Sequence, residues 1–97
     1  MTAKFELGQV IVTPTACEAL NAEGHSVDEL LSRHRAGDWG DVSAHERTVN
    51  DQGLDAPLSL QSVYRMPSGK KVSFVTRSDR SLTLVHLLPA DHEARPA

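Results

Sequence analysis

The chain of 97 residues has little cysteine and few aromatic residues: one Cys, one Trp, one Tyr and two Phe. A single cysteine, Cys17, cannot form a disulfide within the chain, which fits a reducing compartment. No apolar run approaches the roughly 18 residues of a membrane-spanning helix, and the first ten residues lack the apolar centre of a secretory signal. The sequence therefore predicts a cytoplasmic protein that does not enter a membrane.

The chain also lacks the short motifs of common enzyme classes. The segment LGQVIVTPT has one glycine where a phosphate-binding loop needs two or three, and no nucleophile elbow surrounds any serine. Cys17 lies among small residues, where we expect a buried apolar side chain with no local base to activate it. We therefore expect no enzymatic activity, no cofactor and no metal.

Charge is unevenly distributed. Residues 1–56 carry four Lys/Arg and ten Asp/Glu, a balance of −6, whereas residues 57–97 carry six and three, a balance of +3. A protein that grips a long tract of nucleic acid usually has a clearly basic face, because neutralised phosphates supply most of the affinity. Here only a small patch in the second half could bind phosphate.

Length and patterning predict one domain, over residues 1–90, followed by a flexible tail at 91–97. The alternation within FELGQVIVTP, which ends at a proline, predicts a strand over 4–12. Capping residues then predict three short helices, over 14–23, 27–36 and about 44–51. Their N-terminal signals are Thr13 with Pro14, the box SVDE at Ser26 and the box SAHE at Ser43.

From Leu58 onward the apolar pattern alternates, which predicts strands over 58–66, 71–76 and 82–88 joined by the turns PSGK and RSDRS. Short turns between neighbouring strands predict an antiparallel meander. The expected fold is α+β, with an N-terminal strand, three short helices and a C-terminal three-stranded antiparallel meander. The helices are expected to pack on one sheet face.

The two sides of this sheet are predicted to differ. If the side with Tyr64, Phe74 and Leu84 meets the helices, apolar residues remain on the other side among Arg65, Lys71 and Arg77. The apolar residues on that side are Val63, Val75, Val85 and Leu87. A mixed apolar and basic face indicates a contact surface for a homodimer or for another protein. The alternative is that the tail or the first strand covers this face.

The segment GDWGD at 37–41 holds the only tryptophan and joins the second and third helices. In one interpretation Trp39 is a plug over the end of the core, with its indole N–H bonded to a carbonyl, which is the commoner role of a large aromatic residue. In the other, Trp39 is an exposed anchor for a partner, flanked by Asp38 and Asp41. Nearby His34 and His45 have spacings that poorly match closed metal sites. An enzyme or metal site around 34–45 is therefore the least favoured hypothesis.

The turn TRSDRS at 76–81 is the second candidate binding segment. Asp79 can close the turn, which places Arg77 and Arg80 at its tip with Lys70 and Lys71 near the neighbouring hairpin end. Such a cluster could bind an acidic protein surface or a phosphate backbone. The commoner alternative is a solvated turn without a partner.

Three segments carry a family resemblance: FELGQVIVTPTACEAL, LLSRHRAGDWGD and TRSDRSLTLVHLLP. Together they resemble a family of short, uncharacterised proteins found on plasmids and other mobile elements. The family motifs are similar to LGxVV with TP, RHxxGDWGD and DRSxT with LLP. Some members are labelled as the M subunit of a type I restriction system, but this chain has no cofactor-binding glycine motif and is too short for such a domain. It also departs from the pattern at Thr15, Phe74, Arg77 and Ser78.

The resemblance implies a mobile-element setting, in which small acidic proteins often block host defence complexes by occupying a surface. We therefore predict a non-enzymatic protein-binding function, such as inhibition of a CRISPR or restriction complex. The predicted partner-binding residues are Asp38, Trp39 and Asp41, with Arg77 and Arg80 as a second patch. The alternative prediction is a nucleic-acid-associated accessory protein that uses the basic hairpin.

Overall fold

The computed structural model describes residues 3–89, so the predicted tail at 91–97 lies outside the described part of the chain. Within this range the helices and strands follow the predicted order. The strands are β1 (Gln9–Val12), β2 (Leu60–Arg65), β3 (Lys71–Thr76) and β4 (Leu82–Leu87). The helices are α1 (Pro14–Ala22), α2 (Val27–Arg35) and α3 (Ala44–Gly53). The first strand is shorter than predicted, because regular pairing begins only at Gln9.

The four strands form one sheet in the order β1-β4-β3-β2. Strands β2, β3 and β4 form the predicted antiparallel meander. The α+β class is therefore confirmed, but β1 pairs in parallel with β4, so the sheet is mixed and not purely antiparallel. A parallel partner needs a long crossover connection, and the helical half of the chain provides it between β1 and β2.

The predicted capping residues begin all three helices. Ser26 Oγ accepts the backbone N–H of Glu29, and Ser43 forms a complete capping box with Glu46. Thr13 Oγ1 accepts the N–H of Ala16, and Pro14 occupies the first turn of α1, where its missing N–H costs nothing. Local sequence therefore fixes where each helix starts.

Helices α1 and α2 pack on one side of the sheet, which we call the helix face. Residues paired across neighbouring strands share a side of the sheet, and Phe74 pairs with both Ser62 and Val85. The buried core on this face comprises Ala16, Ala19, Leu20, Leu30, Leu31, Tyr64, Met66, Val72, Phe74 and Val85. Apolar burial of this kind supplies most of the driving force for folding.

The predicted orientation of the last strand is wrong. Val85 is fully buried on the helix face and Leu87 packs against the same core, whereas Leu84 lies on the opposite face. The segment LTLVHLL is apolar at both alternating sets of positions, so its pattern could not select a face. The pairing of Thr76 with Thr83 across the β3–β4 turn sets the register. Because side chains alternate between the two faces of a strand, this register fixes the face on which every later side chain of β4 lies.

Candidate functional site

The GDWGD segment forms a rigid junction between α2 and α3. Gly37 has φ of +82°, a left-handed conformation that ends α2 at little steric cost, and the Asp38 N–H donates to the Arg33 carbonyl. The chain then runs beside β2, where Gly40 makes a parallel bridge to Val63. The junction therefore lies along the outer edge of the sheet.

Main-chain hydrogen bonds attach the junction to β2. The Val63 N–H donates to the Trp39 carbonyl at 3.0 Å, and the Asp41 N–H donates to the Val63 carbonyl at 2.6 Å. The Arg65 N–H donates to Asp41 Oδ2 at 2.8 Å. Asp41, predicted to contact a partner, thus uses one carboxylate oxygen to satisfy an edge strand, although the residue itself is exposed.

The same edge is closed further along by a side chain from α3. The Asn50 amide donates from Nδ2 to the Gln61 carbonyl at 2.8 Å and accepts the Gln61 N–H on Oδ1 at 3.0 Å. Asn50 therefore imitates a neighbouring strand residue. Sequence reasoning missed it, because α3 has few apolar residues and nothing local links position 50 to a strand ten residues later.

Gly40 is required for the close approach of the junction to the sheet. Its φ is +74°, and a Cβ atom there would overlap the Val63 carbonyl oxygen and lie 2.6 Å from a Tyr64 ring carbon. Any other residue would have to adopt an unfavourable backbone conformation and also push β2 away. This explains the glycine that follows the tryptophan.

Trp39 is only 1% exposed, so the prediction of an exposed anchor at Trp39 is wrong. The indole stacks on Phe5 with ring centres 6.0 Å apart and meets His34 edge-on at 5.8 Å. Its N–H donates to Asp51 Oδ1 at 2.9 Å, a carboxylate in place of the predicted carbonyl. Trp39 is thus a buried plug between the helices, the sheet and the N-terminal segment.

Asp38 is half-exposed, and it stabilises the same junction. Its Oδ2 accepts Arg33 Nε at 2.8 Å, and the Arg33 guanidinium holds the pKa of the Asp38 carboxyl below its usual value. The Asp38 carbonyl accepts the Tyr64 hydroxyl, and burial raises the pKa of Tyr64 to about 12. Both aspartates of GDWGD therefore hold the junction in place.

His34 is fully buried at the centre of a chain of hydrogen bonds. The Thr83 hydroxyl donates to the Leu7 carbonyl at 2.7 Å, so it must accept from Thr76 Oγ1, which lies 2.7 Å away. Thr76 has then used its only proton, so it accepts from His34 Nε2 at 2.8 Å, and in the neutral ring His34 Nδ1 accepts the Ser62 hydroxyl. The chain fixes one neutral tautomer.

Burial lowers the pKa of His34 to about 4, consistent with this neutral ring. Both ring nitrogens are occupied, which leaves neither for a metal ion or a substrate proton. Within residues 3–89 no group of three or more His, Cys, Asp and Glu side chains is placed to hold a metal. His45, the other histidine of the proposed 34–45 site, is exposed on α3.

The two arginines of the predicted basic patch differ in role. Arg80 has a positive φ of 61° and turns inward, where Nη1 donates to the Leu58 carbonyl and Nη2 to the Gly53 carbonyl, both at 2.6 Å. It fastens the β3–β4 turn to the end of α3. Arg77 is exposed. Asp79 closes the turn, as predicted, by accepting the Ser81 N–H at 3.0 Å.

The predicted cluster of Arg77 and Arg80 with Lys70 and Lys71 does not form. Lys71 begins β3 and Arg77 follows its end, so the two are separated by the length of that strand, about 20 Å at roughly 3.3 Å per residue. With Arg80 directed inward, the β3–β4 turn presents one exposed arginine. Within residues 3–89 these four side chains therefore do not form the compact basic patch on which the nucleic-acid alternative depended.

Two depressions of about 280 and 330 Å³ are open to solvent. The first lies between α3 and β2, and the second lies between α1 and the end of the sheet where β3 begins and β4 ends. The linings are His45, Glu46, Val49, Asn50, Ser59 and Gln61, and Thr15, Glu18, Ala19, Ala22, Lys70 and Leu87. Cys17 is exposed on α1, so the prediction that it is buried is wrong.

A row of apolar side chains crosses the sheet on the side away from the core. Ile11 of β1 pairs with Leu84 of β4, and Leu84 pairs with Val75 of β3. We call these three residues the apolar row. Ile11 is 42% exposed, and Leu84 and Val75 are half-buried. Arg77 follows Val75 by two positions and so continues on the same side of the sheet.

No family model, curated protein or solved structure matches this chain. None of the described helices is long and apolar enough to cross a membrane.

Proposed function

We propose that the protein is a non-enzymatic binding protein that contacts another protein through the apolar row. The observation that carries the proposal is the exposure of Ile11 beside Leu84 and Val75 on a sheet face. A sheet face that meets only water is usually polar at such positions. Apolar residues aligned across three strands are typical of a surface that is covered when the protein acts.

The partner that fits this surface is a protein with an apolar patch beside carboxylate groups. The apolar row would bury against the patch, and Arg77, at one end of the row, would pair with the carboxylates. Asp38, Trp39, Asp41 and Arg80 serve the fold through the contacts described above. Among the predicted binding residues, Arg77 is therefore the one that we retain as a direct contact.

The proposed setting is the blockade of a host defence complex. It is supported by the resemblance of the three sequence segments to mobile-element proteins and by the small, acidic character of the chain. The geometry is compatible with a protein that acts by covering a surface of its partner, because the polar side chains of the junction and the core are engaged in internal hydrogen bonds. Inhibition then requires only that the apolar row cover a working surface of the partner.

The test compares capture of partners from a host lysate by the wild type and by Leu84→Lys, with nuclease added. Glu18→Lys, an exposed change on α1, is the matched control for introducing a lysine. We expect the wild type and Glu18→Lys to capture the same protein, and Leu84→Lys to bind the purified partner at least about tenfold more weakly, or roughly 1.4 kcal/mol. Equal affinity of Leu84→Lys would contradict the proposal. Loss of capture on nuclease treatment would favour the nucleic-acid alternative instead.

A further inference from the structure

The two edge strands of the sheet differ in whether their outward main-chain groups have hydrogen-bond partners. At β2, Trp39, Asp41 and Asn50 bond the outward main-chain groups of Gln61, Val63 and Arg65. At β1, the opposite end of the sheet order, no strand among residues 3–89 pairs with the outer side. Proteins usually protect such an edge with charge, proline or a covering segment. The described part of the chain therefore protects the β2 edge and leaves the β1 edge without a strand partner.

Register identifies the outward groups of β1. The N–H groups of Gln9 and Thr13 donate to β4, at the carbonyls of Ser81 and Val85. Because main-chain groups alternate along a strand, Ile11 also faces β4, and the N–H and C=O groups of Val10 and Val12 point outward. Val10 and Ile11 are two of the three large apolar residues that are exposed in the described structure.

The sequence of this edge is nearly symmetric about Ile11. It reads Gln-Val-Ile-Val-Thr over residues 9–13, and no charged residue occurs between Leu7 and Cys17. An antiparallel copy centred on Ile11 would place Val10 opposite Val12 and Gln9 opposite Thr13 of the second chain. In that register each Val10–Val12 pair exchanges its N–H and C=O bonds, and the two Ile11 side chains touch on one face.

We infer that two copies of this chain pair through β1. The pairing joins their sheets into one sheet of eight strands, in which the two central strands are antiparallel. A second copy is the favoured occupant because a two-fold interface must be self-complementary, and the Val-Ile-Val edge is complementary to itself. Each chain carries a formal charge of −3, but the uncharged edge places no like charges opposite each other. The inference does not depend on the proposed function.

The pairing is expected to be weak, because β1 has only four residues. Such an edge buries less than the roughly 800 Å² per partner of a standard stable interface. The dimer should therefore form in a concentration-dependent way. In the dimer the two apolar rows would lie end to end and present a continuous surface across both chains.

Analytical ultracentrifugation of the purified full chain tests the inference. We expect the average mass to rise from 10.6 kDa toward about twice that value as the concentration increases. Val10→Pro removes only an N–H that points outward, a change that edge strands tolerate, and should weaken the dimer at least tenfold without lowering the unfolding temperature. A mass of 10.6 kDa up to about 1 mM would overturn the inference.

A charge-swap pair keeps the test informative if Val10→Pro disturbs folding. Ile11→Lys and Ile11→Glu should each be monomeric, because like charges would meet on the two-fold axis, and an equimolar mixture should recover a heterodimer. Val75→Lys lies on the apolar row away from the edge and should leave the dimer intact. Loss of the dimer with Val75→Lys but not with Val10→Pro would assign the contact to the sheet face and overturn the inference.

Discussion

His34 Nε2 donates a hydrogen bond to the Thr76 hydroxyl across 2.8 Å in the fully buried centre of the domain. This hydrogen bond links α2 to β3, and the hydrogen bonds of Thr83 extend the link to the N-terminal segment at Leu7. Each hydroxyl in this chain has one proton to donate, which places a proton on His34 Nε2, and burial keeps the ring neutral, so that Nδ1 accepts from Ser62. A buried polar network of this kind makes the fold sensitive to protonation.

The first prediction concerns pH. The pKa of His34 is about 4 in the folded protein against an ordinary value of 6.5, so between these values the unfolded chain binds a proton that the folded chain does not. The free energy of unfolding should therefore fall as the pH drops, by about 2 kcal/mol between pH 7.5 and 5, and reach a limit near pH 4 for this group. Urea unfolding at several pH values measures the slope.

Two glutamine variants separate His34 from the other histidines. His34→Gln should be less stable at pH 7.5 by about 2 kcal/mol and should lose most of the pH slope, because glutamine does not titrate. His45→Gln, on the exposed surface of α3, should keep both the stability and the slope of the wild type. An unchanged slope in His34→Gln would refute the assignment.

The second prediction compares two glycines with the same backbone angle. Gly24 and Gly40 both have φ of +74°, but a Cβ atom at Gly24 meets nothing within 4 Å, whereas at Gly40 it overlaps β2. Gly24→Ala should therefore cost about 1 kcal/mol, from backbone strain alone, and Gly40→Ala at least about 3 kcal/mol. Chemical denaturation of both variants gives the comparison, and equal losses would show that the junction can move away from the sheet.

The third prediction separates the two arginines of the β3–β4 turn. Arg80→Ala should lower the free energy of unfolding by about 2 kcal/mol, because the carbonyls of Gly53 and Leu58 lose a charged donor. Arg80→Lys should not restore it, since one ammonium cannot reproduce the planar fork. Arg77→Ala should change stability by less than about 0.5 kcal/mol. A larger effect at Arg77 than at Arg80 would reverse the assigned roles.

Local signals in the sequence predicted the elements well, because the groups that determine them are close together in the chain. Thr13, Ser26 and Ser43 each cap a helix by bonding an amide three residues later. The alternation from Leu58 onward predicted the strands of the meander in the same way. Such signals do not depend on the rest of the fold.

Features set by distant contacts could not be predicted. The parallel pairing of β1 depends on where the helices return the chain, and the face of Val85 depends on register across a turn. In the sequence, Arg80 resembles any exposed turn residue. In the structure, its positive φ directs its side chain to carbonyls more than 20 residues away in the chain. At the candidate site, the GDWGD motif was recognised, but the strand that it covers was not.

The last prediction concerns Asn50 and the protected edge of the sheet. Asn50→Leu keeps the volume but leaves the N–H and C=O of Gln61 without partners, so we expect a loss of about 2 to 3 kcal/mol. Asn50→Asp keeps the acceptor but sets a carboxylate oxygen against the Gln61 carbonyl at a buried position, and should cost at least as much as Asn50→Leu. Gln52→Leu, an exposed change on the same helix, is the control and should alter stability by less than about 0.5 kcal/mol. Hydrogen exchange at the Gln61 amide should accelerate in Asn50→Leu by more than the loss of global stability accounts for, because an unprotected edge amide reaches water directly. An unchanged exchange rate at Gln61 would mean that another group closes this edge.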